Sequence, residues 1–182
     1  MNITTDIEQL KNPTGKYKRP ETFTKEQFKD WINTIELFPS KLIKEVSNLS
    51  EEQLNTPYRP EGWTIRQVIH HCADSHSNAF TRFKLAMTED KPTIKPYHED
   101  RWAKLPDTSE APIESSFKIL EGLHERWIIL LKSMNDEDFK RKFIHPEMGR
   151  ELEIRETLAL YAWHCNHHLA HITSLKERMN WS

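Results

Sequence analysis

The sequence predicts a mainly α protein built as a four-helix bundle. Three observations support this. The 182 residues include only four glycines, and the ten prolines fall mostly between segments of helical apolar periodicity. Those segments number four, and each is about 20 residues long, roughly 30 Å of helix. With 36% hydrophobic residues, the chain can bury a substantial core, and a single domain spanning 1–182 is expected.

The first helix opens at "TKEQ", where Thr24 and Gln27 have capping-box spacing. It is expected to reach about Asn48, with a kink before Pro39, which has no N–H to offer a helix interior. A short helical turn is expected at "SEEQL". The second helix opens at "TIRQ" with another capping box, Thr64 and Gln67. Its apolar residues Ile65, Val68, Ile69, Cys72, Ala79, Phe80 and Phe83 recur at helical spacing until about Thr88.

Residues 90–112, "DKPTIKPYHEDRWAKLPDTSEAP", form a longer connection than the roughly 2–8 residues an antiparallel helix pair needs. Their length permits a crossover that returns to the starting end and leaves helices two and three parallel. Tyr97 and Trp102 are expected to pin it to the bundle. The third helix, Ile113 to Met134, carries Phe117, Leu120, Leu123, Trp127, Leu130 and Leu131 on one side. Next comes "FIHPEMGRELEI", readable as a small hairpin around Met148 and Gly149, and then the fourth helix from Arg155 to Met179.

Composition excludes several functions. Lysine and arginine number 26 against 28 acidic residues, a formal charge of −2, so neither nucleic acid nor an anionic membrane is an expected partner. The longest apolar run, "WIILL", is far short of the roughly 20 residues that span a bilayer. The opening "MNITTDIEQL" lacks a basic-then-apolar signal, so a cytoplasmic protein is expected. Two cysteines cannot build a disulfide framework, and Cys72 and Cys165 read as small buried apolar side chains.

The chemistry lies in the histidines. Seven of the ten fall in two windows: His70, His71 and His76 in "IRQVIHHCADSH", and His164, His167, His168 and His171 in "YAWHCNHHLAHI". On a helix the last four face broadly one way, beside an apolar stripe of Leu158, Cys165, Leu169 and Ile172. The i,i+4 pair His164 and His168 has the spacing by which two imidazoles on successive turns can bind one metal.

A further ligand must come from elsewhere, and the other window is the obvious source. His76 sits at the centre of its helix's apolar stripe, as a hydrogen-bonded core histidine would. His71 lies at the polar edge with Thr64, Ser75, Asn78 and Arg82, and is the preferred ligand. His70 points to the opposite flank and is expected to be exposed. Glu121 and His124 form a Glu-x-x-His step, but a di-iron bundle needs two such steps plus two further glutamates, so this pair reads as part of a solvated face.

At these residues the sequence resembles the DinB/YfiT-like family, specifically its YfiT branch, described as metal-dependent hydrolases and including bacillithiol S-transferases. The likeness runs through "PTGKYKRPE", "TPYRPEGWTIRQVIHHCADSHSNAFTRFKL", "TEDKPTIKPYHEDRWAKL" and "LYAWHCNHHLAHITSLKERMNW". It implies an up-down-down-up bundle, typically a homodimer, with one divalent ion per subunit described as zinc or nickel. The family's metal-binding histidines fall on His71, His164 and His168.

Three neutral imidazoles leave a divalent ion its full charge and an open position, a catalytic arrangement that acidifies either water or a thiol. A zincin-type protease places Glu directly after its first histidine, where this chain has Cys165. Asp74, Glu153 and Glu156 are base candidates that spacing does not mark. The leading expectation is therefore transfer of a small thiol, bacillithiol by family analogy, to an electrophile. Ser75, Asn78, Arg82 and His171 are candidates to support the ligands or face substrate. Hydrolysis is the alternative, and a non-catalytic metal-binding module is a third reading.

Overall fold

A computed structural model of the chain describes residues 7–181; the ends of the expected 1–182 unit lie outside the described residues. After a short helix α1 (Ile7–Lys11), the bundle begins with α2 (Lys25–Val46). Thr24 Oγ1 accepts from the Gln27 N–H while the Gln27 side chain accepts from the Thr24 N–H, so the predicted capping box forms. α2 continues unbroken through Pro39. The "SEEQL" turn is α3 (Glu51–Leu54), opened by a capping box of Ser50 with Gln53, and a third capping box, Thr64 with Gln67, opens α4 (Ile65–Thr88).

The crossover contains two short helices, α5 (Glu99–Trp102) and α6 (Pro106–Glu110), before α7 (Ile113–Ser133). Tyr97 and Trp102 pack on each other, with ring centroids 4.6 Å apart, but polar groups of α4 hold much of the segment. Gln67 Nε2 donates to the Ala103 carbonyl, and buried Arg66 donates to the Ala111 carbonyl and pairs with Glu51. The crossover also joins the predicted hairpin. β1 (Lys142–His145) pairs antiparallel with β2 (Arg150–Glu153), and Ile94 and Ile144 exchange bonds with the neighbouring segment. Gly149 occupies the left-handed turn position, φ +61°.

The last helix, α8 (Ile154–Met179), ends on Asn180 in the left-handed conformation. Contacts along the four long helices give their directions. His70 meets Ser116, His76 meets His124 and Phe83 meets Trp127, so α4 and α7 run parallel. Arg155 covers Phe23 just before α2, and Lys176 pairs with Glu45 near its end, so α2 and α8 run parallel. α4 opposes α8, because Ser75 meets Tyr161 while His71, nearer the start of α4, meets His164. The order is up-down-down-up, and the crossover makes it possible.

The core is continuous through all four long helices, with Ile35, Phe38, Leu42, Ile69, Phe83, Leu120, Trp127 and Leu158 among its fully buried side chains. Cys72 and Cys165 are free thiols inside it, as expected. Among the described residues, no helix is long and apolar enough to cross a membrane.

Candidate metal centre

Antiparallel packing of α4 against α8 brings the two histidine windows together. α4 supplies His71, and successive turns of α8 supply His164 and His168. One ligand nitrogen from each lies within 4.8 Å of the others, so the three could hold a metal ion. The His71 and His164 Nε2 atoms are 3.2 Å apart. Two Zn–N bonds of about 2.0–2.1 Å at a tetrahedral angle place their nitrogens about 3.3 Å apart, so the spacing fits a shared ion.

Burial keeps these rings neutral. It pushes His71 down to about 3, helped by the neighbouring His171 and His167, and holds His164 and His168 well below the ordinary histidine range. Neutral imidazoles at pH 7 have lone pairs to give. Trp63 packs on His71, and the His164 and His168 rings meet edge to face with centroids 4.3 Å apart.

Two cavities open on the triad. One, about 520 Å³, is lined by all three histidines with Tyr58, Arg59, Trp63, Trp163, His167 and His171. The other, about 390 Å³, is lined by His164 with Ser75, Arg82, Tyr97, His98, His145 and Tyr161. Glu99 and Asp100 of α5 line both, as does His164. Burial and the adjacent Asp100 raise the Glu99 carboxyl above its ordinary value.

The supporting residues expected from sequence divide. Ser75 lies 3.4 Å from His164 Nε2 and bonds with Tyr161, and Arg82 lines the smaller cavity. His171 faces the larger cavity, donates from Nε2 to the Lys11 carbonyl and stacks on Tyr58 at 3.9 Å. Asn78 lines neither, and its amide donates to the Asp74 carbonyl one turn back.

The carboxylates named from sequence line neither cavity. Burial and Asp107 raise Asp74 to about 6, Glu153 pairs with Arg155, and buried Glu156 is held by Arg19 and Arg150. Glu99 and Asp100 take their place, and only the path of the crossover puts them there.

Two histidine expectations are corrected. His70 is buried, its Nδ1 2.7 Å from Ser116 Oγ and its Nε2 3.1 Å from the Ala111 carbonyl oxygen, because α7 and the crossover cover that flank of α4. His124 is not on a solvated face; it is 2% exposed and bonded to His76 and to the Ile35 carbonyl. The signal for it was present, since Leu120, His124, Trp127 and Leu131 share one helical stripe. Glu121 alone is exposed, as expected.

Known proteins resemble this chain along most of its length. A family model described as "DinB superfamily" matches residues 34–172. A Bacillus cereus (strain 03BB102) protein named "Putative metal-dependent hydrolase" is 51% identical over 177 residues, 96% of this chain and 100% of the relative. A Bacillus mycoides protein of the same description is 49% identical over 175 residues, with the same coverage. A solved structure, YfiT from Bacillus subtilis, is described as "a probable metal-dependent hydrolase with an unusual four-helix bundle topology". It superimposes with a TM-score of 0.93 at 46% identity, covering 96% of this chain and 99% of that one.

Proposed function

We propose a function from one premise, that the chain belongs to the DinB superfamily: it is a divalent-metal-dependent enzyme that transfers a small thiol of the bacillithiol type to an electrophile. One observation carries this reading. The ligand nitrogens of His71, His164 and His168 converge within 4.8 Å at the meeting point of two cavities rather than one. A divalent ion bound there would keep an open position and acidify a thiol or water. Zinc is the first ion to test and nickel the second, since neutral imidazoles suit both.

Two cavities sharing His164 suit two substrates brought to one atom. Arg59 in the larger cavity and Arg82 in the smaller can each hold an anionic group of a substrate. The new sulfur–carbon bond forms as the electrophile's leaving group departs with its electron pair. Glu99, on the ridge between the cavities, accepts the thiol proton at its carboxylate. Hydrolysis is the second reading, favoured by Glu99 and Asp100 beside the triad and by the description its relatives share.

The test is zinc-loaded protein with monochlorobimane, with and without cysteine or bacillithiol, beside a panel of esters. Product that requires both metal and thiol is the expected result. Thiol-independent release from the esters overturns transfer in favour of hydrolysis. Unfolding on removal of the metal, with no turnover on either panel, overturns both and leaves a structural metal module.

A further inference from the structure

Two buried imidazoles, His124 and His76, stand in series between the far side of the bundle and the triad. His124 Nδ1 lies 2.7 Å from the carbonyl oxygen of Ile35, and His124 Nε2 lies 2.7 Å from His76 Nδ1. His76 Nε2 in turn lies 3.1 Å from His164 Nδ1. His76 is fully buried, and rings of Phe38, Trp127 and Tyr161 pack around it.

The direction of every bond follows from the first atom. A carbonyl oxygen only accepts, so His124 Nδ1 carries the hydrogen and donates. A neutral imidazole has one N–H, which leaves His124 Nε2 as acceptor for the His76 Nδ1–H. The same step repeats, so His164 donates from Nδ1 and keeps a lone pair on Nε2. Burial holds His124 down at about 4, so its ring is neutral at pH 7, and His76 sits fully buried among aromatic rings that offer a charged imidazole no counter-ion.

The Ile35 carbonyl is free for this purpose because of Pro39. In a regular helix it would accept the N–H four residues on, and proline has none. The series therefore begins on a carbonyl of α2 that lacks its i,i+4 partner because Pro39 has no N–H, passes through α7 and α4, and ends on the α8 nitrogen that lies 3.2 Å from His71 Nε2.

We propose that His124 and His76 are positioning residues for His164: anchored on the Ile35 carbonyl, they lock it in the Nδ1–H form and aim its Nε2 lone pair into the triad. This rests on the reading of His164 as a metal ligand. A ligand fixed in the binding tautomer has nothing to rearrange when an ion arrives, and donation from its other nitrogen raises its basicity.

The first test uses metal-free protein labelled with ¹⁵N at histidine, whose long-range ¹H–¹⁵N couplings report each ring's tautomer. The Nδ1–H form at His124, His76 and His164 is expected; the Nε2–H form at His164 overturns the proposal. The second compares zinc affinity, by chelator competition, for wild type, His124→Phe and His124→Gln, each checked for fold by circular dichroism. His124→Phe should lose on the order of 10–100-fold in affinity and show mixed tautomers at His164. His124→Gln keeps a donor and an acceptor and should recover most of the loss.

A folded His124→Phe protein with wild-type affinity overturns the proposal. If that variant does not fold, the wild-type tautomers and His124→Gln still decide. Failure of wild type to bind zinc would sink the metal reading instead, and the tautomers would still report on the series.

Discussion

The deep side and the open side of the histidine cluster are built differently. On the deep side, both ring nitrogens of His124 and of His76 have hydrogen-bond partners, and the rings are packed among aromatics. On the open side, facing the larger cavity, the Nδ1 atoms of His167, His168 and His171 are buried without a hydrogen-bond partner among the described residues. His164 belongs to both, its Nδ1 bonded inward and its Nε2 turned to the cavities. Rings with both nitrogens paired are fixed in place; rings with one nitrogen unpaired are held by fewer bonds. The two halves therefore differ in what a substitution should cost.

The junction should give the largest effect. His164→Ala should abolish tight zinc binding and metal-dependent turnover, a loss beyond the roughly 10–100-fold typical of supporting groups. Circular dichroism of the metal-free variant should still report a helical bundle. Unchanged zinc affinity would break the comparison at its centre.

Stability should then separate the sides. His76→Ala opens a cavity under Phe38 and Trp127 and strips two partners of a hydrogen bond, costing about 2–4 kcal/mol. His167→Ala removes a ring that stacks on Trp163, with its Nδ1 unpaired, and should cost below about 1 kcal/mol. Denaturant unfolding of both variants measures the contrast, and equal costs would erase it.

Acid should sharpen the comparison further. Burial lowers His124 from its ordinary 6.5 to about 4, so the folded protein binds fewer protons than the unfolded chain between those values. Its contribution is fully present above about pH 6.5 and is lost as pH falls from there towards 4. The slope is up to about 1.4 kcal/mol per pH unit for each such histidine. His124→Phe should flatten the acid limb of metal-free stability by about one group's share, read from denaturant midpoints at several pH values. The smallest effect belongs to a control on the nearby surface. Half-exposed Lys132 pairs with Glu36, and Lys132→Ala should stay within about 0.5 kcal/mol of wild type.

Sequence reading reached different depths in different parts of the molecule. The capping boxes at Thr24 and Thr64 each lie within four residues of chain, so local chemistry announces them. His164 and His168 were legible as a pair for the same reason: one helix turn fixes their relation before anything packs. His71 needed a judgement about which edge of α4 meets α8. His70 and His124 were misread because exposure depends on neighbours, and theirs come from α2, α7 and the crossover. Glu99 and Asp100 carried no mark at all, since nothing in "YHEDRW" states where a long connection will lie.

By itself, then, the sequence determined the four amphipathic helices, their caps and the imidazole pair on α8, because these depend on contacts between residues a few positions apart. Only the tertiary structure decided that Pro39 would leave a carbonyl for His124, that two more histidines would join that carbonyl to His164, and that α5 would stand between two cavities. Those relations join residues far apart in the chain, and helical periodicity gives each helix its inward face without naming which residue of another helix will meet it.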